Sequence, residues 1–100
     1  MSLTARDIAV RALRDRSGNI TAHLERLLGE GGLSGVDRGL AHEITVGVVR
    51  HRSTVDAILR SYLHQRKKKV PSPVKEILQV AIYQIVFLQK VPAFAAVDEA

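Results

Sequence analysis

An all-α fold is what this 100-residue sequence predicts, and three observations predict it. Apolar residues recur at helical spacing in several separate stretches; the one long apolar run is flanked by helix punctuation; and no segment sustains the period-2 alternation of a half-buried strand. The long run is residues 77–88, ILQVAIYQIVFL, nine of whose twelve residues are large and apolar. Ser72 and Pro73 precede it as an N-cap and a proline at the first helical position, where a missing N–H costs nothing. The expected helix covers residues 73–88. Along it Lys75, Gln79, Tyr83 and Lys90 fall at steps of 4, 4 and 7, which predicts one narrow polar stripe on an otherwise apolar cylinder. Such a rod has to be surrounded by other helices.

Those helices follow from the N-terminus. Thr4 caps the first, with Asp7 in the place of a capping-box partner, and Ala5, Ile8, Ala9, Ala12 and Leu13 form its apolar stripe at spacings of 0, 3, 4, 7 and 8. Arg6, Arg11 and Arg14 lie away from that stripe. Ser17, Gly18 and Asn19 stop the helix, and Ile20, Leu24, Leu27 and Leu28 predict a short second one ending near residue 28. The glycine-rich stretch 29–35 is a flexible connection and lacks the Gly-Lys-Ser/Thr of a phosphate-binding loop. Ser34 caps a third helix, with Leu40, Ala41, Ile44, Gly47 and Val48 on its buried face. Glycine weakens a helix by about 1 kcal/mol relative to alanine, so Gly47 predicts close helix packing. Arg50, His51 and Arg52 end this helix with cations at its carbonyl pole. Ser53 or Thr54 caps a fourth helix, whose Val55, Ile58, Leu59, Tyr62 and Leu63 again read 0, 3, 4, 7 and 8; a basic loop, 64–71, follows. After the apolar helix, residues 90–92 form a break and 93–100 look like the first turns of another helix.

One domain, residues 1–100, is what this length allows. There is no cysteine, so disulfides and thiolate metal sites are excluded. The apolar run is too short to span a bilayer, and the first residues lack the apolar core of a signal peptide; a cytoplasmic protein with no membrane partner is expected. The net charge is +5, from 15 Lys and Arg against 10 acids. Its distribution is uneven: Arg50, Arg52, Arg60, Arg66, Lys67, Lys68, Lys69 and Lys75 are opposed over that stretch by Asp56 alone. Such a cluster attracts a polyanion, or else merely solubilises a loop.

Catalytic chemistry finds no foothold. His23, His42, His51 and His64 have neither HxxxH nor HExxH spacing, so no metal site is expected; His51 and His64 read as part of the cationic surface, His23 and His42 as exposed helix residues. Serine, histidine and aspartate occur outside any nucleophile motif. Tyr62 and Tyr83 sit on apolar helix faces, which points to core packing rather than base stacking.

The segment DRGLAHEITVGVVR, residues 37–50, followed by DAIL at 56–59, resembles the DRxLAxELVxGVLR...LDxLL signature of NusB-like domains. RDIAVRAL (6–13) is similar to the RxxAVxAL of their first helix, IYQI (82–85) to their GxYQLL core helix with Ala81 where glycine is usual, and VPAFAAVDEA (91–100) to IPxHAAVNEA. The resemblance implies a NusB-like helical bundle of two packed three-helix bundles, the second incomplete because the family's last helices would follow residue 100. It also implies RNA binding. DRGLAHE and VPAFAAVDEA look most like the N-terminal domain of bacterial ribosomal-RNA cytosine-5 methyltransferases, which implies a downstream domain carrying the S-adenosylmethionine site and the catalytic cysteines, with no cofactor and no catalysis in this chain. The alternative branch is the free-standing antitermination factor that binds boxA RNA with a ribosomal protein. Arg6 coincides with the arginine of the family's first-helix motif and is the leading RNA-contact candidate; Arg11 and Arg14 share its helix.

The expected function is therefore an RNA-binding module that positions ribosomal RNA, with Arg6, Arg11 and Arg14 as one surface and Arg50, Arg52, Lys67, Lys68 and Lys69 as another. A different class of reading is a protein-interaction module, in which the charges keep an apolar groove soluble and a second copy of the chain is the partner.

Overall fold

The computed structural model describes residues 3–30, 32–66, 69 and 71–88. They form α1 (Ala5–Leu13), α2 (Ile20–Glu30), α3 (Gly35–Arg50), α4 (Arg52–Arg66) and α5 (Ser72–Tyr83), and then a π-helical segment, Gln84–Leu88. The fold is all α, as the periodicity predicts, with no strand among the described residues. Lys67, Lys68, Lys90 and the expected helix at 93–100 lie outside the described residues.

Local chemistry accounts for most helix ends. Thr4 and Asp7 close a reciprocal capping box on α1: the Asp7 N–H donates to Thr4 Oγ1 at 3.1 Å and the Thr4 N–H to Asp7 Oδ2 at 3.0 Å. Gly18 adopts a φ of +89°, the left-handed turn that separates α1 from α2. Asn19 caps α2 by accepting the Ala22 N–H at 3.1 Å. The second helix outlasts its expected end and takes in Gly29 and Glu30. Arg38 closes that end from outside, its guanidinium donating to the Leu28 carbonyl at 2.7 Å. Ser34 caps α3 as predicted.

The joint between α3 and α4 differs from the expectation. Neither Ser53 nor Thr54 begins α4; both lie inside it. His51 alone is the hinge, its N–H donating to the Gly47 carbonyl at 2.9 Å and its own carbonyl accepting the Val55 N–H at 2.9 Å. A single residue thus serves both helices. At the other end α4 continues through His64 and Gln65 to Arg66, into the expected basic loop. Pro71, not Ser72, stands at the cap position of α5.

Two apolar clusters hold the helices. Ala5, Ile8 and Ala12 of α1 meet Leu24 and Leu28 of α2 and Ala41 of α3 in the first three-helix bundle. Ala9 and Leu13, on the adjacent side of α1, meet Ile44 and Val48 of α3 and Val80 and Tyr83 of α5 in the second cluster. Helix α4 adds buried Val55 and Leu59.

The largest departure is in the rod itself. Several of its aliphatic residues are not enclosed: Ile77 is 49% exposed and Ile85 63%. The buried seam of α5 instead contains Glu76, Gln79, Val80 and Tyr83, so two members of the expected polar stripe face inward. Each polar group there is paired with a different helix. Glu76 Oε1 lies 3.5 Å from Nε of Arg14, the residue that caps the end of α1, Gln79 Nε2 donates to Asp56 Oδ1 of α4 at 2.7 Å, and the Tyr83 hydroxyl donates to Glu43 Oε1 of α3 at 3.1 Å. Buried polar groups need such partners, and here the partners fix α5 against three neighbours. After Tyr83 the wider π turn brings Phe87 alongside, with Tyr83 and Phe87 centroids 5.0 Å apart and His51 4.5 Å from Phe87. His51, expected on the cationic surface, is half-buried in this stack. His23 is also half-buried rather than exposed.

Candidate nucleic-acid interface

Helix α1 carries its apolar residues at 5, 8, 9, 12 and 13, which leaves 6, 7, 10, 11 and 14 on the opposite side. That side meets α5. Between the two helices runs an open groove of about 410 Å³, floored by Val10, Ile77, Val80, Ala81 and Gln84 and edged by Arg6, Asp7, Arg11 and Arg14. The three arginines read from sequence as one surface are thus brought together along one cleft.

Their states differ. Arg6 and Arg11 are exposed. Arg14 is anchored: its guanidinium donates to the Pro73 carbonyl and pairs with the buried Glu76 carboxylate, so its first task is to tie α1 to the start of α5. Asp7 is the acid at the groove edge. Hydrogen bonds from the Thr4 backbone and then the Thr4 side chain hold its carboxyl below the usual range, which keeps it ionised and committed to the cap.

The second expected surface is less concentrated. Arg50 ends α3 close enough to Tyr83 to act on its ionisation, Arg52 opens α4, and Lys69 follows it; all three are exposed. Lys67 and Lys68 lie outside the described residues. Sequence reasoning missed the α5 wall of the groove, Ile77, Ala81 and Gln84, because it placed the apolar residues of that helix in the core. Their spacing of 4 and 3 marks them as one face, but only the packing of α1 shows which face it is.

The spacing of Tyr62 on α4 predicts a place in the core. The structure leaves it 50% exposed, with the Arg66 guanidinium 5.3 Å from its ring centroid. Among the described residues no group of three histidine, cysteine, aspartate or glutamate side chains is placed to hold a metal, and no helix is long and apolar enough to cross a membrane.

This arrangement occurs on a chain with clear relatives. It is 33% identical over 99 residues to a protein of Synechocystis named probable ribosomal RNA small subunit methyltransferase B, and 29% identical over 100 residues to its namesake in Bacillus subtilis. Those alignments cover 96% and 97% of this chain but only 22% of either methyltransferase. It is also 31% identical over 99 residues to the transcription antitermination protein NusB of Photorhabdus laumondii, covering 96% of this chain and 72% of that protein. No solved structure matches. The NusB family profile matches residues 3–100, essentially the whole chain, and the chain belongs to the NusB family.

Proposed function

We propose that this chain is an RNA-binding domain that orients ribosomal RNA for a cytosine-5 methyltransferase domain elsewhere in the same protein, the chemistry and its S-adenosylmethionine belonging to that other domain. The observation that carries this reading is the placement of Arg6 and Arg11, exposed above the α1–α5 groove while Arg14 is held back by Glu76. Guanidinium groups along a cleft neutralise successive phosphates and release counterions, and a module that only positions RNA needs no catalytic side chain. The likeness to methyltransferases over 22% of their length supports a domain within a larger enzyme.

A free-standing antitermination factor is the second reading, favoured by the 72% coverage of NusB itself. Both predict RNA affinity. The test is binding of a ribosomal-RNA fragment and of a boxA-type RNA across a salt series. Arg6→Ala and Arg11→Ala should each weaken binding and lower the salt slope by about 1. Unchanged affinity and slope in both variants would remove the α1 groove from the RNA surface.

A further inference from the structure

We propose that Tyr62 and Arg66 of α4 form a stacking platform for an unpaired base of the bound RNA, a contact separate from the α1 groove. The proposal rests on the RNA reading above and adds a second site to it.

The apolar periodicity of α4 would bury Val55, Ile58, Leu59, Tyr62 and Leu63 together. Only Val55 and Leu59 are fully buried; Ile58 is 36% exposed and Tyr62 half exposed. The helix is therefore rotated so that its second apolar line faces outward, where Ala57, Ile58, Ser61, Tyr62 and Gln65 border a shallow open groove of about 430 Å³. Above the Tyr62 ring stands the Arg66 guanidinium, 5.3 Å from the centroid. Two flat groups, one of them cationic, are thus held beside each other on a helix before any ligand arrives.

A nucleobase suits this surface better than a protein does. Bases have apolar faces that stack on aromatic rings and on guanidinium planes, and edges that take hydrogen bonds; the Ser61 hydroxyl and Gln65 amide are available beside the ring for those edges. A stable protein interface buries about 800 Å² on each side around an apolar centre, and this groove offers only Ile58 and Tyr62 as large exposed apolar side chains. The charge also fits. Helix α4 holds Arg52, Arg60 and Arg66 against a single acid, Asp56, whose Oδ1 is turned to Gln79 of α5. Of these cations Arg66 stands at the ring itself, where a phosphate next to the stacked base would meet it.

The chain has no tryptophan, so a Tyr62→Trp variant carries one indole at the proposed contact. Titration with an unstructured oligoribonucleotide should quench its fluorescence in a saturable way, and a fully paired duplex of the same sequence should quench it less. Tyr62→Phe should bind the single strand within about twofold of wild type, and Tyr62→Ala about tenfold more weakly, within the fivefold to hundredfold range of one base stack. The helical circular dichroism of both variants should match wild type, since the side chain is half exposed. The proposal is overturned if RNA affinity responds to Arg6→Ala and Arg11→Ala while Tyr62→Ala binds as wild type and the indole is not quenched; the groove reading would then survive alone. It is also overturned if Tyr62→Ala and Ile58→Asp change self-association in sedimentation with RNA affinity unchanged, which would make this face a contact between protein chains. Wild-type protein that binds no RNA would end both readings together.

Discussion

The phenol ring of Tyr83 occupies the space that a side chain at residue 47 would need: a β-carbon built on Gly47 falls among the ring's Cζ, Cε1 and hydroxyl atoms. Helix α3 carries a glycine there so that α5 can approach it. In an open helix Gly→Ala would gain about 1 kcal/mol. Here the added methyl meets a buried ring fixed by Glu43 and Phe87, and overpacking of this kind outweighs the gain. Gly47→Ala should lose about 2 kcal/mol or more in urea unfolding. In a Tyr83→Leu background the same substitution should cost at least about 1 kcal/mol less, the coupling expected of residues in contact. Equal costs in both backgrounds would contradict the packing.

Tyr83 also ties stability to alkaline pH. Burial raises the pKa of its phenol above the usual value, the hydrogen bond to Glu43 and that carboxylate's charge add to the rise, and Arg50 opposes it. The folded pKa exceeds the unfolded one, so the stabilisation is complete below the ordinary tyrosine range near 10 and is lost as pH climbs through the folded value. Wild type should therefore lose stability more steeply than Tyr83→Phe as pH rises above about 10. The phenylalanine variant should itself be less stable by about 0.5–1.5 kcal/mol at neutral pH, for the missing hydrogen bond. Parallel pH dependences of the urea midpoint would show that Tyr83 is not the group responsible.

What the sequence discloses and what it hides follow from the same residues. Helices α1 and α3 are legible because their stripes are simple: small and aliphatic residues at regular spacing, with Thr4 and Ser34 at the caps. Gly47 announces close packing, though not its partner. The orientation of α5 is hidden, since it is apolar nearly all round and its narrow polar stripe reads as the outward face. There the polar residues decide. Glu76, Gln79 and Tyr83 go inward because Arg14, Asp56 and Glu43 wait on three other helices, and pairings at separations of 62, 23 and 40 residues leave no local trace. The RNA candidates show the same limit. Arg6, Arg11 and Arg14 read as one face of α1, while the difference between two exposed arginines and one anchored arginine depends on Glu76.

That difference separates stability from binding. Arg14→Ala leaves the Glu76 carboxylate, 5% exposed, without its cation. Breaking a fully buried pair costs about 3–5 kcal/mol, but the Arg14 side chain is 40% exposed and water screens part of the effect. A loss of about 1–2 kcal/mol is expected, and Glu76→Leu in the same chain should recover much of it by removing the stranded charge. Arg6→Ala and Arg11→Ala, on exposed side chains, should stay within about 0.5 kcal/mol of wild type. In RNA binding the order reverses: Arg6→Ala and Arg11→Ala reduce affinity and Arg14→Ala less so. An Arg14→Ala protein as stable as wild type but weaker in binding than either would mean that Arg14 leaves Glu76 to meet RNA.

The link between α4 and α5 depends on one hydrogen bond of the same kind. Gln79 is 3% exposed, and its amide donates to Asp56 Oδ1 at 2.7 Å. Asp56→Ala strands a buried donor, which costs about 1–3 kcal/mol. Asp56→Asn keeps an acceptor oxygen at the same place and should lose under about 1 kcal/mol. Gln79→Leu removes the donor and leaves Asp56, which is only half-buried, free to take water; it should fall between the two. Thermal unfolding resolves the series, since each 1 kcal/mol moves the midpoint of a domain this size by about 4–8 °C. If Asp56→Ala and Asp56→Asn unfold at the same temperature, the amide has found another acceptor, and this hydrogen bond is not what holds α4 to α5.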